Sequence, residues 1–187
     1  MNVRPAFVRI ALVAASAAAS ATFCSPAHAE LSSWFSVGVG DAKLQWAGTP
    51  RHDRLMLPVD VGFGLPPSLP IIAGIGVRET TYLGDGPDWG AYLRLTTRGY
   101  VTGGWGAALD AGGWFRTFAV GSTGLSGRLS IGVPFWGLFV AGEYAQGTND
   151  AKNMAAFVGI DLLRLTVYRL SGEQRWPNVN PAWRPER

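Results

Sequence analysis

Three arginines and four acids fall on one side of an alternating pattern. Asp60, Arg78, Arg94, Asp110, Arg128, Glu143 and Asp161 each sit on a separate stretch in which apolar side chains take every other position. In one such stretch Leu55, Leu57, Val59, Val61 and Phe63 share one phase, while Met56, Pro58, Asp60, Gly62 and Gly64 share the other. The chemistry open to this set is pairing. A guanidinium presents a planar fork of N–H donors that matches a carboxylate, which the point charge of lysine does not. The only lysines are Lys43 and Lys152, and neither belongs to the set. Arg164 is a further base that a bulge would bring onto the same phase.

Other chemistries have less to work with. His52 lies in Pro50-Arg51-His52-Asp53-Arg54, with a carboxylate beside it but no serine near it in sequence. A nucleophilic site needs all three groups held together, so no catalytic residue is expected. Cys24 is the only cysteine and the other histidine is His28, both in the first 29 residues. The remaining chain therefore has one histidine, no thiolate and scattered acids, and no metal site is expected. The Gly/Asp segments 84–88, 110–115 and 147–153 lack the spacing of a calcium loop and read as turns. Gly74-Ile75-Gly76-Val77-Arg78-Glu79 precedes no helix and is no nucleotide loop. No cofactor is expected. Of 16 Lys and Arg, Arg4 and Arg9 fall in the leader, leaving 14 against 13 Asp and Glu. That balance, with no basic cluster among aromatics, speaks against nucleic-acid binding.

The elements that must hold the charges are strands. Residues 1–29 read as a secretory signal peptide: Arg4 and Arg9, an alanine-rich apolar stretch from Ile10 to Phe23, and Ala27-His28-Ala29 as the cleavage site. Phe23 before Cys24 speaks against lipidation at that cysteine. Beyond the leader no apolar run is long enough for a spanning helix, and glycines interrupt nearly every helical window. Two-residue alternation recurs instead, over 33–46, 55–64, 71–82, 89–101, 105–118, 125–133, 136–146 and 154–169. Turn residues such as Gly84-Asp85-Gly86-Pro87 and Gly147-Thr148-Asn149-Asp150 separate these stretches. Asp41, Gly112-Gly113 and Leu162-Leu163 break phase and mark places for bulges. The fold expected is an all-β, eight-stranded antiparallel up-and-down barrel.

Which phase faces inward follows from the polar one. A water-facing strand surface would be dense in Lys, Glu and Thr. This phase carries small residues and, in seven of the eight strands, one charge. That composition suits the interior of a narrow barrel, which side chains fill, with the apolar phase turned to lipid. Trp34, Trp46, Tyr82, Trp89, Tyr100, Trp105, Trp136, Tyr144 and Tyr168 stand near strand ends, where a membrane barrel carries its aromatic girdles.

From leader to closing strand, over 31–170, the chain resembles the small transmembrane barrels of the outer membrane, of the OmpA/OmpX kind. The resemblance implies an outer-membrane location, contact with outer-membrane lipid and insertion by the barrel-assembly machinery. That machinery would read the end of the last strand, Val167-Tyr168-Arg169-Leu170. The expected organisation is a signal peptide at 1–29, a barrel at 30–170 and a proline-punctuated tail at 171–187. The tail reads either as a flexible end or as a docking peptide for a periplasmic partner. Three functions stay open: a non-catalytic structural or interaction barrel plugged by its own charges, a narrow channel for small solutes, and a soluble periplasmic lipocalin-like barrel with an apolar ligand inside. Cleavage after Ala29 is expected, and an intact mass of the exported protein lacking residues 1–29 checks it.

Overall fold

The computed structural model describes residues 31–166 apart from 68, 103, 120 and 135. The leader 1–29, the closing segment Val167–Leu170 and the tail 171–187 lie outside the described residues. Eight strands form one closed antiparallel barrel in chain order: β1 (Ser32–Gln45), β2 (His52–Gly64), β3 (Ile71–Tyr82), β4 (Gly86–Thr97), β5 (Gly106–Arg116), β6 (Ser122–Gly132), β7 (Leu138–Gly147) and β8 (Lys152–Asp161). Among the described residues two short helical turns accompany it, α1 (Arg98–Thr102) between β4 and β5, and α2 (Leu162–Thr166) after β8.

Two stretches expected as strand are these helical turns. Residues 98–101 leave β4 to form α1, and the chain after Asp161 winds into α2 rather than prolonging β8. No bulge occurs at Gly112-Gly113, where β5 pairs without a register break against both neighbours. Asp41 keeps its place on the apolar phase and is exposed on the outside of β1. Trp136 belongs to a turn before β7, in the left-handed region at φ 60°.

The ladders fix the geometry of the ring. A hydrogen-bonded row runs from Ser32 through Gly64, Gly74, Arg94, Asp110, Arg128, Glu143 and Ala155, and returns to β1 at Ala42, ten residues on from its start. That offset tilts the strands and sets the bore of an eight-stranded barrel, which is filled by side chains rather than open.

Alternation then sorts the side chains. Leu93, Leu109, Leu125, Leu129, Val140 and Val158 are exposed on the outer wall. Asp60, Arg78, Arg94, Asp110, Arg128 and Glu143 are buried inside it. A lipocalin-like ligand chamber would need the apolar phase inside, and the barrel has it outside. The interior is not uniformly polar, however. Ala42 and Leu44 of β1, Met56 of β2, Phe139 and Ala141 of β7 and Ala155 and Phe157 of β8 form an apolar cluster along one side.

Glycines make that packing feasible. A Cβ on Gly112 would lie 2.1 Å from the Ala91 carbonyl oxygen and 2.6 Å from Tyr92 Cα, both backbone. On Gly142, which faces outward, a Cβ would meet nothing within 4 Å. Gly112→Val is therefore expected to destabilise the barrel by about 1–3 kcal/mol, and Gly142→Val to stay within about 0.5 kcal/mol. Urea midpoints of the detergent-refolded protein distinguish the two.

Candidate functional site

The row that closes the barrel carries four of its charges. Arg94, Asp110, Arg128 and Glu143 are successive members of it on β4, β5, β6 and β7, alternating in sign. Asp60 and Arg78 are cross-strand partners on β2 and β3. Strand tilt brings both groups to one level of the lumen, and the side chains join into a single chain of ion pairs.

Arg94 grips Asp110 with both arms, Nε to Oδ1 at 2.7 Å and Nη2 to Oδ2 at 2.8 Å. Arg78 donates from Nη2 to the same Asp110 Oδ2 at 2.6 Å and from Nε to Asp60 Oδ1. Arg128 on β6 reaches across the lumen to Asp60 Oδ2 at 2.7 Å and holds Glu143 Oε2 at 2.8 Å through Nε. Arg78 Nη1 stands 3.6 Å from Glu143, which closes the loop. Ser36 adds a hydroxyl donor to Asp60 at 3.3 Å. Three arginines thus neutralise three acids. Ionised groups taken out of water are tolerable only when paired and hydrogen-bonded in this way.

Asp161, grouped with these by phase, does not join them. Its Oδ1 accepts the amides of Leu163 at 3.0 Å and Arg164 at 3.2 Å, which makes it the cap of α2. It also accepts the Phe35 amide at 3.5 Å. Arg164 is buried beneath the network, with its guanidinium 4.9 Å from the Tyr100 ring and Nη2 3.3 Å from the Val133 carbonyl oxygen. Burial lowers the Arg164 pKa and pushes the Tyr100 phenol up to about 12.

Aromatic rings floor the network. The Arg78 guanidinium lies 4.4 Å from the Tyr92 ring, Arg94 4.7 Å from Trp34, and Arg128 4.5 Å from Phe157. Trp34 Nε1 donates to Tyr92 Oη at 2.8 Å. Here the inward glycines find their reason. A Cβ on Gly76 would fall 2.5 Å from the Tyr92 ring, and on Gly74 2.4 Å from Trp34. These glycines leave room for the rings on which the arginines rest. Trp34, Tyr82 and Tyr100 accordingly face the lumen and not the girdle, whereas Trp105, Trp136 and Tyr144 are exposed.

A second tier lies nearer the end opposite the start of β1, and sequence reasoning missed it. Arg116 holds Asp88 with both arms, at 2.8 and 2.7 Å. Its guanidinium sits within 6 Å of four rings, Phe118, Trp114, Trp46 and Tyr82. Asn153 donates to Tyr82 Oη at 2.7 Å beside it. A signal was there, since Arg116 shares the phase of Asp110 and Asp88 that of Arg94. Gly84-Asp85-Gly86-Pro87 reads as a turn that takes Asp88 with it. A cavity of about 20 Å³, lined among others by Arg78, Tyr82, Asp88, Glu143 and Asn153, separates the tiers. That is the scale of a single water molecule.

His52 lies at the rim, its Nε2 3.3 Å from Asp85, which also accepts from Arg54 Nε at 2.8 Å. Among the described residues no serine hydroxyl bonds to it, and no group of three His, Cys, Asp or Glu is placed to hold a metal ion.

A closed ring of eight antiparallel strands, apolar without and charged within, resembles the small outer-membrane barrels. In fold this chain is a closed, all-antiparallel eight-stranded barrel. No family model matches it, and no curated protein matches it. Among solved structures it is similar to the crystal structure of Ail, the attachment invasion locus protein of Yersinia pestis. The two share 14% identity over 71% of this chain and 97% of that one, with a TM-score of 0.27.

The Asp88–Arg116 pair is the cleaner place to measure what a buried pair is worth, because each charge has one ionic partner. Arg116→Met or Asp88→Leu alone is expected to cost about 3–5 kcal/mol by stranding the other charge, and the double variant less than either. A double-mutant cycle on urea unfolding reads the coupling.

Proposed function

We propose that this chain is a non-catalytic barrel of the outer membrane with a structural or interaction role, and that its lumen does not conduct. The observation that carries the reading is the unbroken ionic chain Arg94–Asp110–Arg78–Asp60–Arg128–Glu143 across the bore. An ion passing through would have to separate guanidinium from carboxylate at that level and again at Asp88–Arg116. Each separation strands a charge in a site with almost no room for the water that would replace its partner.

The location is supported by the wall. Exposed apolar side chains cover it from Ile71 and Trp105 near one end to Leu55, Leu125 and Met154 toward the other. In water such a surface would be an unusually large apolar patch, whereas hydrocarbon suits it. The division into an exported leader at 1–29, a membrane barrel at 30–170 and a tail free to meet a periplasmic partner belongs to the same proposal. So does insertion by the barrel-assembly machinery. The four connections on the side away from the start of β1, 46–51, 83–85, 117–121 and 148–151, are short. A partner would therefore meet small rim surfaces or the wall itself.

Membrane fractionation joined to planar-bilayer recording tests the reading. The expected outcome is recovery in the outer membrane and no steady conductance from the purified, folded barrel. Reproducible conductance unchanged by Asp60→Asn or Arg94→Gln would replace the plug with the channel, and recovery in the soluble periplasm would remove the membrane assignment.

A further inference from the structure

The end of the barrel where β1 begins and β8 ends carries a groove on its outer wall. It arises because α1 folds back against the base of β5. A Cβ on Gly99 would lie 2.1 Å from the Trp105 carbonyl oxygen, and one on Gly106 2.2 Å from the Tyr100 amide nitrogen. Glycine at both positions lets the two backbones touch, and Pro70, Thr97, Arg98, Trp105, Ala107 and Ile131 are left lining the depression.

Its lining has two parts. One is apolar and continues up the wall. Ala107 pairs with Ile131, Leu109 with Leu129 and Leu95 with Leu109, all on the outward phase, so an apolar track runs from the groove toward the middle of the barrel. Trp105 is 69% exposed at its foot. The other part is one cation. Arg98 is exposed, and its guanidinium makes no ion pair or side-chain hydrogen bond among the described residues. Its backbone is fixed by the Pro70 carbonyl at 3.0 Å and the Thr102 hydroxyl at 3.1 Å. The Thr97 hydroxyl already accepts the Ala107 amide at 3.1 Å. The one described acid at this end, Asp161, is buried as the cap of α2.

An exposed guanidinium without an ionic partner among the described residues, at the foot of an apolar track, matches an amphiphile with a negative head and a hydrocarbon tail. We infer that the groove binds an anionic phospholipid of the leaflet on this side. The phosphate would lie against Arg98, the headgroup region beside the Trp105 ring, and an acyl chain along Ala107, Ile131 and Leu109. The inference rests on the membrane reading above. A juxtamembrane arginine favours anionic lipid, and a single one accounts for about a five-fold preference. An exposed tryptophan is at home at the same depth.

The test is native mass spectrometry of the detergent-released, folded barrel with added phosphatidylglycerol or phosphatidylcholine. The wild type is expected to retain phosphatidylglycerol preferentially, and Arg98→Gln to lose about five-fold of that preference over phosphatidylcholine. Arg51→Gln, an exposed arginine at the opposite rim, is expected to leave retention unchanged. Equal retention of the two lipids by the wild type, an Arg98→Gln variant indistinguishable from it, or an equal loss in Arg51→Gln would each overturn the site. The heat-modifiable gel shift of each sample reports that the barrel is folded. Recovery of the wild type in the soluble fraction would strike the membrane reading instead, which keeps the two failures apart.

Discussion

A guanidinium placed inside a ring of eight strands has nowhere to turn. Water cannot enter in quantity, so each arginine must find carboxylates within reach, and each carboxylate must be shared without strain. Arg78 and Arg128 meet this demand by reaching past their own neighbours. The former serves Asp60, Asp110 and Glu143, and the latter joins β6 to β2. The positions of the charges, the rings under them and the small residues under the rings all follow from satisfying those forks. Delocalised guanidinium charge can lie flat on Trp34, Tyr92 or Phe157 while its edge donates to an acid, which a lysine ammonium does not do.

The legible part of this arrangement was the part written in a two-residue period. Alternation separates two faces whatever the distance between strands, so Asp60, Arg78, Arg94, Asp110, Arg128 and Glu143 could be placed together on the inside. Height is not written in that period. The hydrogen-bonded row through Glu143 meets β8 at Ala155, and Asp161 lies six residues beyond it, or about 20 Å of strand. Asp161 is on the right face and at the wrong level, and it was free to cap α2.

Strand ends were legible only where turn residues and alternation agreed. At β3, between Pro70 and Leu83, they did. At β4 the glycine-rich approach hid three paired residues, Gly86, Pro87 and Asp88, and with them the second tier. Residues 98–101 and 162–166 carry enough apolar side chains to pass for strand. Their helical turns are imposed by packing against the base of the ring and, for α2, by the Asp161 carboxylate. The inward glycines were visible, but their partners were not. Room for a ring is a property of three dimensions, since Gly74 and Gly76, both on β3, make space for Trp34 of β1 and Tyr92 of β4.

The ladder between β1 and β8 joins the two extremes of the described barrel, pairing Ser36 with Asp161 and Gln45 with Lys152. Neighbouring hairpins can form as the chain emerges, but this seam waits for the whole circuit, and the Asp60–Arg128 contact spans 68 residues. Until the seam shuts, the arginines and acids face an open sheet and keep their hydration. Drying of the interior and pairing of its charges must therefore coincide with the final strand's arrival. The last step of assembly is also the one that commits the polar side chains, and a chain stalled before it would present a charged sheet face to whatever surrounds it.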